Sequence, residues 1–177
     1  LRSSATLSAR IENQSGQPAL VVRVANTGAG HALPTGVADF RELWLELTVT
    51  DASGKRVLES GQPVNGAVPE DARLFRKVFG DAEGKPVGLK FWRYAKLLED
   101  TRIPADGWRD EVWPLPADAQ GPFKADIRLN FRTYPKWVND AVRAAEPSLP
   151  EPPIVQLNRL QLTLQPLPLT PDTEPQY

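Results

Sequence analysis

The chain has 177 residues, enough for one domain with a substantial hydrophobic core. Its 21 basic and 22 acidic residues nearly cancel, and neither sign forms a long block, which argues against a nucleic-acid partner. No apolar run reaches the roughly 18 residues that a membrane span needs, so we predict a single domain, residues 1–177, without such a span.

Two strands are predicted at the start of the chain, where apolar and polar residues alternate. Every second side chain is apolar over residues 5–12, and residues 19–25 are rich in β-branched side chains. Residues 15–18, Ser-Gly-Gln-Pro, have the composition of a turn. We therefore expect these two strands to form a hairpin.

The strongest strand pattern runs over residues 40–50, where four aliphatic side chains share one face: Leu43, Leu45, Leu47 and Val49. A turn at Asp51-Ala52-Ser53-Gly54 then predicts a return strand over residues 56–60. Residues 70–79 fit a helical turn and a strand equally well, and we leave this segment open. The aromatic pair Phe91-Trp92 favours a strand over residues 89–98.

The second half of the chain predicts three further strands and one helix. Alternation and β-branched or aromatic content indicate strands over residues 108–114, 123–132 and 155–164. Apolar residues recur at helical spacing over residues 136–145, so this helix is expected to lie on the sheet. The tail from Gln165 is expected to be extended.

Short strands separated by short turns, together with 18 prolines, argue against a mainly helical protein. The predicted fold class is all-β, an immunoglobulin-like antiparallel β-sandwich with one short helix near the C-terminus. The sequence begins with Leu1 and not with methionine. We therefore expect a processed piece, or the C-terminal part of a longer chain.

The single histidine, His31, lies in a segment of unusual composition between two predicted strands. Residues 26–36 read Asn-Thr-Gly-Ala-Gly-His-Ala-Leu-Pro-Thr-Gly. Glycine permits positive φ, proline restricts a turn, and threonine can hydrogen-bond to nearby backbone. The residues predicted to shape this loop are Gly30, Pro34, Thr35 and Gly36. A loop of this kind fixes the direction in which the imidazole points.

Two roles for His31 remain open at this point. The side chain can be structural, partly buried and hydrogen-bonded through both ring nitrogens. It can also be a ligand of a metal or of a haem iron. With no cysteine, the chain cannot build a thiolate metal site or attach haem through Cys-x-x-Cys-His, so no haem is expected to be covalently bound to it. Ligation by His31 therefore fits best as one axial ligand to a cofactor from elsewhere.

Catalytic constellations are weak in this sequence. A Ser-His-Asp triad would have to use His31, and no serine lies in a Gly-x-Ser-x-Gly elbow. The acidic pairs Glu70-Asp71 and Glu99-Asp100 are expected to be solvated surface, because adjacent strand residues point to opposite faces. We expect no catalytic activity of the chain's own.

Two binding functions deserve a test. Exposed tryptophans on a sandwich could stack on sugar rings, and Trp92, Trp108 and Trp113 lie in a short span. Acidic residues in glycine-bearing turns could contribute to a calcium site. The candidates are Asp51, Asp81 and Glu83, but their spacing is not that of a regular calcium loop.

Several short motifs, in order, resemble a known family. They are Val24-Ala25-Asn26, Gly30-His31-Ala32-Leu33-Pro34-Thr35-Gly36, Arg41-Glu42-Leu43-Trp44-Leu45, Asp51-Ala52-Ser53-Gly54, Val78-Phe79-Gly80-Asp81, Asp100-Thr101-Arg102-Ile103-Pro104 and Leu129-Asn130-Phe131-Arg132. This set is similar to the C-terminal β-domain of bacterial multihaem c-type cytochromes. The Gly-His-x-x-Pro-Thr-Gly element is the most specific part of the resemblance.

The resemblance implies a periplasmic or extracellular electron-transfer setting, with haem on a preceding segment or on a partner chain. The expected function is a non-catalytic module that packs against haem-bearing segments or docks a redox partner protein. His31 would then be an axial ligand or a haem contact. The alternative is a secreted domain that binds carbohydrate or a metal, the metal through His31.

Overall fold

The computed structural model of the protein describes residues 4–14 and 16–165. The strands in these ranges are β1 (Ala5–Gln14), β2 (Gln17–Asn26), β3 (Glu42–Thr50), β4 (Arg56–Ser60), β5 (Lys77–Gly80), β6 (Lys96–Asp100), β7 (Trp108–Pro114), β8 (Phe123–Arg132) and β9 (Val155–Leu164). Helix α1 spans Lys136–Ala145, and 3-10 turns span Ala38–Phe40 and Phe91–Arg93. The prediction of an extended tail concerns residues after Gln165, which lie outside the described ranges.

The main strands form two antiparallel sheets. One sheet has the order β1-β2-β7, the other has the order β4-β3-β8-β9, and β5 and β6 pair as a separate small hairpin. Side chains from both larger sheets meet in one hydrophobic core. The prediction of an all-β antiparallel sandwich with one short helix is therefore confirmed, while the finer term immunoglobulin-like stays a prediction.

The core follows from the alternation of side chains along the central strands. On β3, Leu45 is paired with Leu129 of β8, and both side chains are fully buried. Leu20, Val22 and Val24 of β2 are also fully buried in the same core from the other sheet. A period of two places alternate residues of each strand in this interior and leaves the others for the outer face.

The outer face of the larger sheet is charged and hydrogen-bonded. Arg132 of β8 pairs with Glu42 of β3, with Nε 2.9 Å from a carboxylate oxygen, and its Nη1 donates to the Gly66 carbonyl at 2.7 Å. Further along, Arg128 contacts Glu46 at 2.8 Å. These pairs link neighbouring strands across the face that the core does not use.

Helix α1 has the predicted bounds, but the prediction that it lies on the sheet is wrong. Its Trp137 is exposed and packs edge-on against Phe40, which lies in the 3-10 turn Ala38–Phe40, with ring centroids 6.1 Å apart. Only Val138 and Asn139 are buried on the helix. The Trp137 ring contacts Phe40 and lies beside Gly88, so the helix packs against connecting segments.

The segment over residues 89–98 also differs from its predicted strand. A 3-10 turn occupies Phe91–Arg93, and β6 begins only at Lys96. Gly88, at φ +53°, turns the chain just before it. Adjacent aromatic residues in a strand would point to opposite faces, and here Phe91 and Trp92 are both exposed, at 66% and 71%. The segment left open over residues 70–79 ends in strand β5.

Candidate functional site

The loop that carries His31 is anchored by one buried side chain, Asn26, at the end of β2. Its Nδ2 donates to the His31 carbonyl at 2.8 Å and to the Pro104 carbonyl at 3.0 Å. Its Oδ1 accepts from the Ala29 amide at 3.1 Å. One amide side chain therefore ties the loop both to itself and to a distant segment of the chain.

Backbone hydrogen bonds hold the other parts of the loop. Leu33 and Ile103 exchange a pair of bonds, each 2.8 Å long, and the amides of Thr27 and Gly28 donate to the Ser4 carbonyl. Together with the Asn26 bonds, these contacts hold the loop from Asn26 to Leu33 against the sandwich.

The residues predicted to shape the loop differ in what they do. Gly36 has φ +79°, a conformation that favours glycine, whereas Gly30 does not have positive φ. Pro34 is buried and follows a cis peptide bond, and Thr35 is exposed. Of these four residues, Gly36 has the clearest conformational requirement.

His31 is exposed, and its Nδ1 lies 3.2 Å from the carbonyl oxygen of Ala32. A carbonyl oxygen only accepts hydrogen bonds, so this contact requires a proton on Nδ1. In the neutral imidazole the lone pair is then on Nε2, the other ring nitrogen. Histidines that ligate metals usually carry such a bond from the nitrogen that does not ligate.

A cleft of about 450 Å³ lies beside His31. Its walls are mainly apolar and combine the loop with the edge of the sandwich: Ala29, Leu33, Pro34, Leu43, Phe131 and Leu157. Arg41 also lines the cleft and donates from Nη1 to the Thr133 carbonyl at 2.7 Å. The imidazole therefore lies beside a mainly apolar cleft with one charged side chain, a combination that is common in small-molecule and cofactor sites.

A metal centre built from this chain alone has little to support it. In residues 4–14 and 16–165, no group of three or more His, Cys, Asp or Glu side chains could hold a metal ion. Within the described part of the chain, His31 therefore belongs to no cluster of three or more such ligands. A metal or cofactor held by His31 would take its other ligands from elsewhere.

A second cleft, which the sequence patterns did not predict, adjoins the first. It has a volume of about 440 Å³ and is lined by apolar side chains from three segments, including Val37, Phe40, Phe79 and Phe91. Gly36 lines both clefts, so the two are neighbours. The available signal was the aromatic run Phe91-Trp92-Arg93-Tyr94, which breaks the alternation expected of a strand.

The three tryptophans considered for sugar binding lie in different environments. Trp113 is a core residue with 6% exposure, whereas Trp92 is 71% exposed. Trp108 is also exposed, but the Arg23 guanidinium lies 4.8 Å from its ring centroid. A stacking platform made of all three is excluded, because Trp113 is buried.

The acidic residues considered for calcium close turns. The Asp51 carboxylate accepts from the Ser53 hydroxyl at 2.6 Å and from the Lys55 amide at 3.0 Å, and these bonds lower the pKa of Asp51. The Asp81 carboxylate accepts from the Lys85 amide at 2.8 Å, and its pKa is lowered chiefly for that reason. These carboxylates satisfy backbone and side-chain donors.

The acidic pairs considered for catalysis are surface groups. Glu70 and Asp71 are exposed, Glu99 pairs with Arg76, and Asp100 pairs with Arg102. The Arg102 side chain lowers the pKa of Asp100. These contacts place no two free carboxylates around a common cavity.

Comparisons with protein-family models and with curated proteins find no match. Among solved structures, the fold is similar to a penta-heme cytochrome c552 from Thermochromatium tepidum, with a TM-score of 0.68 and 22% sequence identity. The match covers 92% of this chain and 40% of that chain. The likeness shows that this β fold occurs within a multihaem cytochrome, while the Gly-His-x-x-Pro-Thr-Gly motif stays a prediction.

In the described residues, none of the helices has the length and apolar character needed to cross a bilayer.

Proposed function

We propose that the chain is a non-catalytic β-sandwich module of a periplasmic or extracellular multihaem cytochrome system. In this proposal it packs against a haem-bearing segment or docks a redox partner protein. The observation that supports it most is the structural likeness over 92% of the chain to part of a penta-heme cytochrome. Because the chain has no cysteine, the haem belongs to a preceding segment or to a partner chain.

His31 is the residue proposed to meet that haem. Its exposure, its Nδ1 contact with Ala32 and the apolar cleft beside it all suit an axial ligand or a direct haem contact. A bound haem would supply the electron-transfer chemistry. The part of this chain is to hold the imidazole in place through Asn26 and the Leu33–Ile103 pair, and to cover the haem with apolar side chains.

The first experiment isolates the native assembly that contains this sequence from its source, with an affinity tag on the C-terminal side. A pyridine haemochrome assay and intact-mass spectrometry then determine whether c-type haem is present in fixed stoichiometry with the chain. We expect c-type haem on the same polypeptide or on a stoichiometric partner. Haem-free preparations with no cytochrome would contradict the proposal.

The role of His31 is tested in the same assembly by His31→Ala, with Thr27→Ala as a matched exposed control in the same loop. Loss of an axial imidazole changes the spin state of the iron, which electron paramagnetic resonance and the Soret band detect. We expect one haem to change in His31→Ala and none in Thr27→Ala. Identical spectra in all three proteins would exclude axial ligation by His31.

A secreted carbohydrate-binding domain is the second candidate, and the exposure of Trp92, at 71%, is the observation that favours it. Calorimetry with a set of plant and bacterial oligosaccharides tests it. Saturable binding that Trp92→Ala abolishes would support this function over the first. The metal alternative predicts copper binding that His31→Ala removes.

A further inference from the structure

The surface of the small β5–β6 hairpin and its neighbours carries a set of apolar side chains that the sandwich does not bury. We call this set the aromatic face. Its members are Val37, Phe40, Phe79, Phe91, Trp92, Tyr94 and Trp137. Proteins rarely expose large contiguous apolar patches unless a partner covers them.

The aromatic face is continuous. The ring centroids of Phe79 and Tyr94 are 4.6 Å apart, and those of Phe91 and Trp92 are 5.5 Å apart. Phe79, Phe91 and Tyr94 line one cleft together with Phe40, which in turn contacts Trp137. The rings come from four separate segments of the chain, and together they form one surface.

Exposure within this face is high for side chains of this type. Trp92 is 71% exposed, Phe91 66% and Tyr94 55%. The core of the sandwich is formed by other residues, so these rings contribute little to the stability of the chain. Their area remains available for an interaction with another molecule.

Cations lie along the hairpin that carries this face. Lys77 has its Nζ 5.1 Å from the ring centroid of Phe79. Lys77 lines the cleft of this face, and Lys90 lines a neighbouring cleft together with Trp137. Among the described residues, neither lysine is in a carboxylate ion pair, whereas Arg93 is paired with Asp81. The face therefore combines exposed aromatic rings with two ammonium groups that can meet an anion.

We propose that the aromatic face seats the porphyrin edge of a c-type haem, with Lys77 and Lys90 next to its propionates. This inference rests on the proposed function and assigns its partner surface. A porphyrin is flat, apolar and aromatic, and its propionates are anionic, which matches both properties of the face. A neutral oligosaccharide would not use the lysines, and a second copy of the chain would bring like charges together. The face also adjoins the His31 cleft through Gly36.

The test uses the chain and a defined ligand, a haem c peptide with one covalently attached haem, free propionates and its own histidine ligand. Binding is measured by calorimetry and by quenching of tryptophan fluorescence. The paired substitution Phe91→Ala with Trp92→Ala is expected to weaken binding at least about tenfold, since these are the most exposed rings. Trp108→Ala, an exposed tryptophan on β7, is the matched control and is expected to stay within about twofold of wild type.

The lysines are tested separately with a haem c peptide whose propionates are esterified. Lys77→Glu with Lys90→Glu should weaken binding of the free-acid peptide about fivefold or more, and should have little effect on the ester. A loss of equal size for both peptides would overturn the assignment of the propionates to these lysines.

Three other results would overturn the proposal. The first is unchanged binding of the haem c peptide in the Phe91→Ala, Trp92→Ala variant. The second is an equal loss in Trp108→Ala, and the third is a concentration-dependent dimer that Trp92→Ala dissociates. If native preparations contain haem but these variants bind the haem c peptide normally, the proposed function is retained and the assignment of haem to the aromatic face is wrong. If native preparations contain no haem, the proposed function itself fails.

Discussion

Leu45 and Trp92 are both large apolar residues, and they lie in opposite environments: Leu45 is 0% exposed and Trp92 is 71% exposed. Leu45 belongs to a strand in which every second residue is aliphatic, so one face of the strand enters the core. Trp92 belongs to the short 3-10 turn Phe91–Arg93, in which no residue is buried.

The two regions differ in role: the buried core stabilises the fold, and the exposed aromatic face is available for binding. The sandwich core uses its apolar area to hold the two sheets together, while the aromatic face leaves its area exposed. Substitutions in the sandwich should therefore change the free energy of unfolding, and substitutions on the aromatic face should change binding. Single substitutions in the two regions test this separation.

Arg132→Met should lower the free energy of unfolding by about 3–5 kcal/mol, because it leaves the buried Glu42 carboxylate without its partner. Urea denaturation followed by fluorescence measures the loss. The double variant Glu42→Gln with Arg132→Met removes both charges and should lose less than Arg132→Met alone. A single variant as stable as wild type would show that the pair is not needed for the sandwich.

Leu45→Ala should cost about 2–5 kcal/mol of unfolding free energy, since it creates a cavity in the centre of the core. Leu97→Ala is the matched control, because Leu97 also lies in a strand but is 47% exposed. Its expected cost is below about 1 kcal/mol. Equal losses in the two variants would remove the distinction between core and surface leucines.

Asn26→Ala should cost about 1–3 kcal/mol and loosen the His31 loop, because two carbonyls and one amide lose their partner. Hydrogen exchange at Ala29, read by NMR, should become faster. Asn158→Ala is the control, since the one side-chain donor bond of Asn158 goes to the Ala5 carbonyl at 3.0 Å. Unchanged exchange at Ala29 in Asn26→Ala would contradict the anchoring role.

Asp126→Asn should show the smallest effect, and one that depends on pH. The pKa of Asp126 is lowered, first by its hydrogen bond to Arg159 and then by other contacts that include Arg128. A folded pKa below the unfolded value near 3.8 gives stability that is present above that value and lost as the pH falls through the folded pKa. The stability difference between wild type and Asp126→Asn should therefore shrink towards about pH 2.

Glu111 provides a control of opposite sign for that pH dependence. Burial raises its pKa, so its contribution to stability is present at low pH and is lost as the pH rises through the folded value. Glu111→Gln should therefore gain stability relative to wild type as the pH rises from about 3 to 7. The same pH dependence in Glu111→Gln and Asp126→Asn would contradict both assignments.

Most of the fold could be predicted from local patterns. The bounds of β4, β7, β8, α1 and β9 agree with the expected ranges, because alternation and helical periodicity are visible in a short window. The position of α1 could not be predicted in this way. The position of the helix depends on which surfaces of the folded sheets are polar. That polarity comes in part from pairs between distant segments, such as Arg128 with Glu46 and Arg159 with Asp126.

The candidate site could be predicted only in part. The composition of residues 26–36 located the loop and His31, but the anchor Asn26 bonds to Pro104, 78 positions away, which no local pattern shows. The aromatic face could not be predicted from local sequence patterns either. Its rings at Phe40, Phe79 and Trp137 come together only through the tertiary fold.

The most direct test of the account is hydroxyl-radical footprinting of Trp92 in the native assembly and in the chain alone. Trp92 is 71% exposed in the chain, so it should be oxidised readily there. If the aromatic face seats a haem, Trp92 is strongly protected in the assembly, and c-type haem is present in fixed stoichiometry. Equal oxidation of Trp92 in both preparations would contradict it.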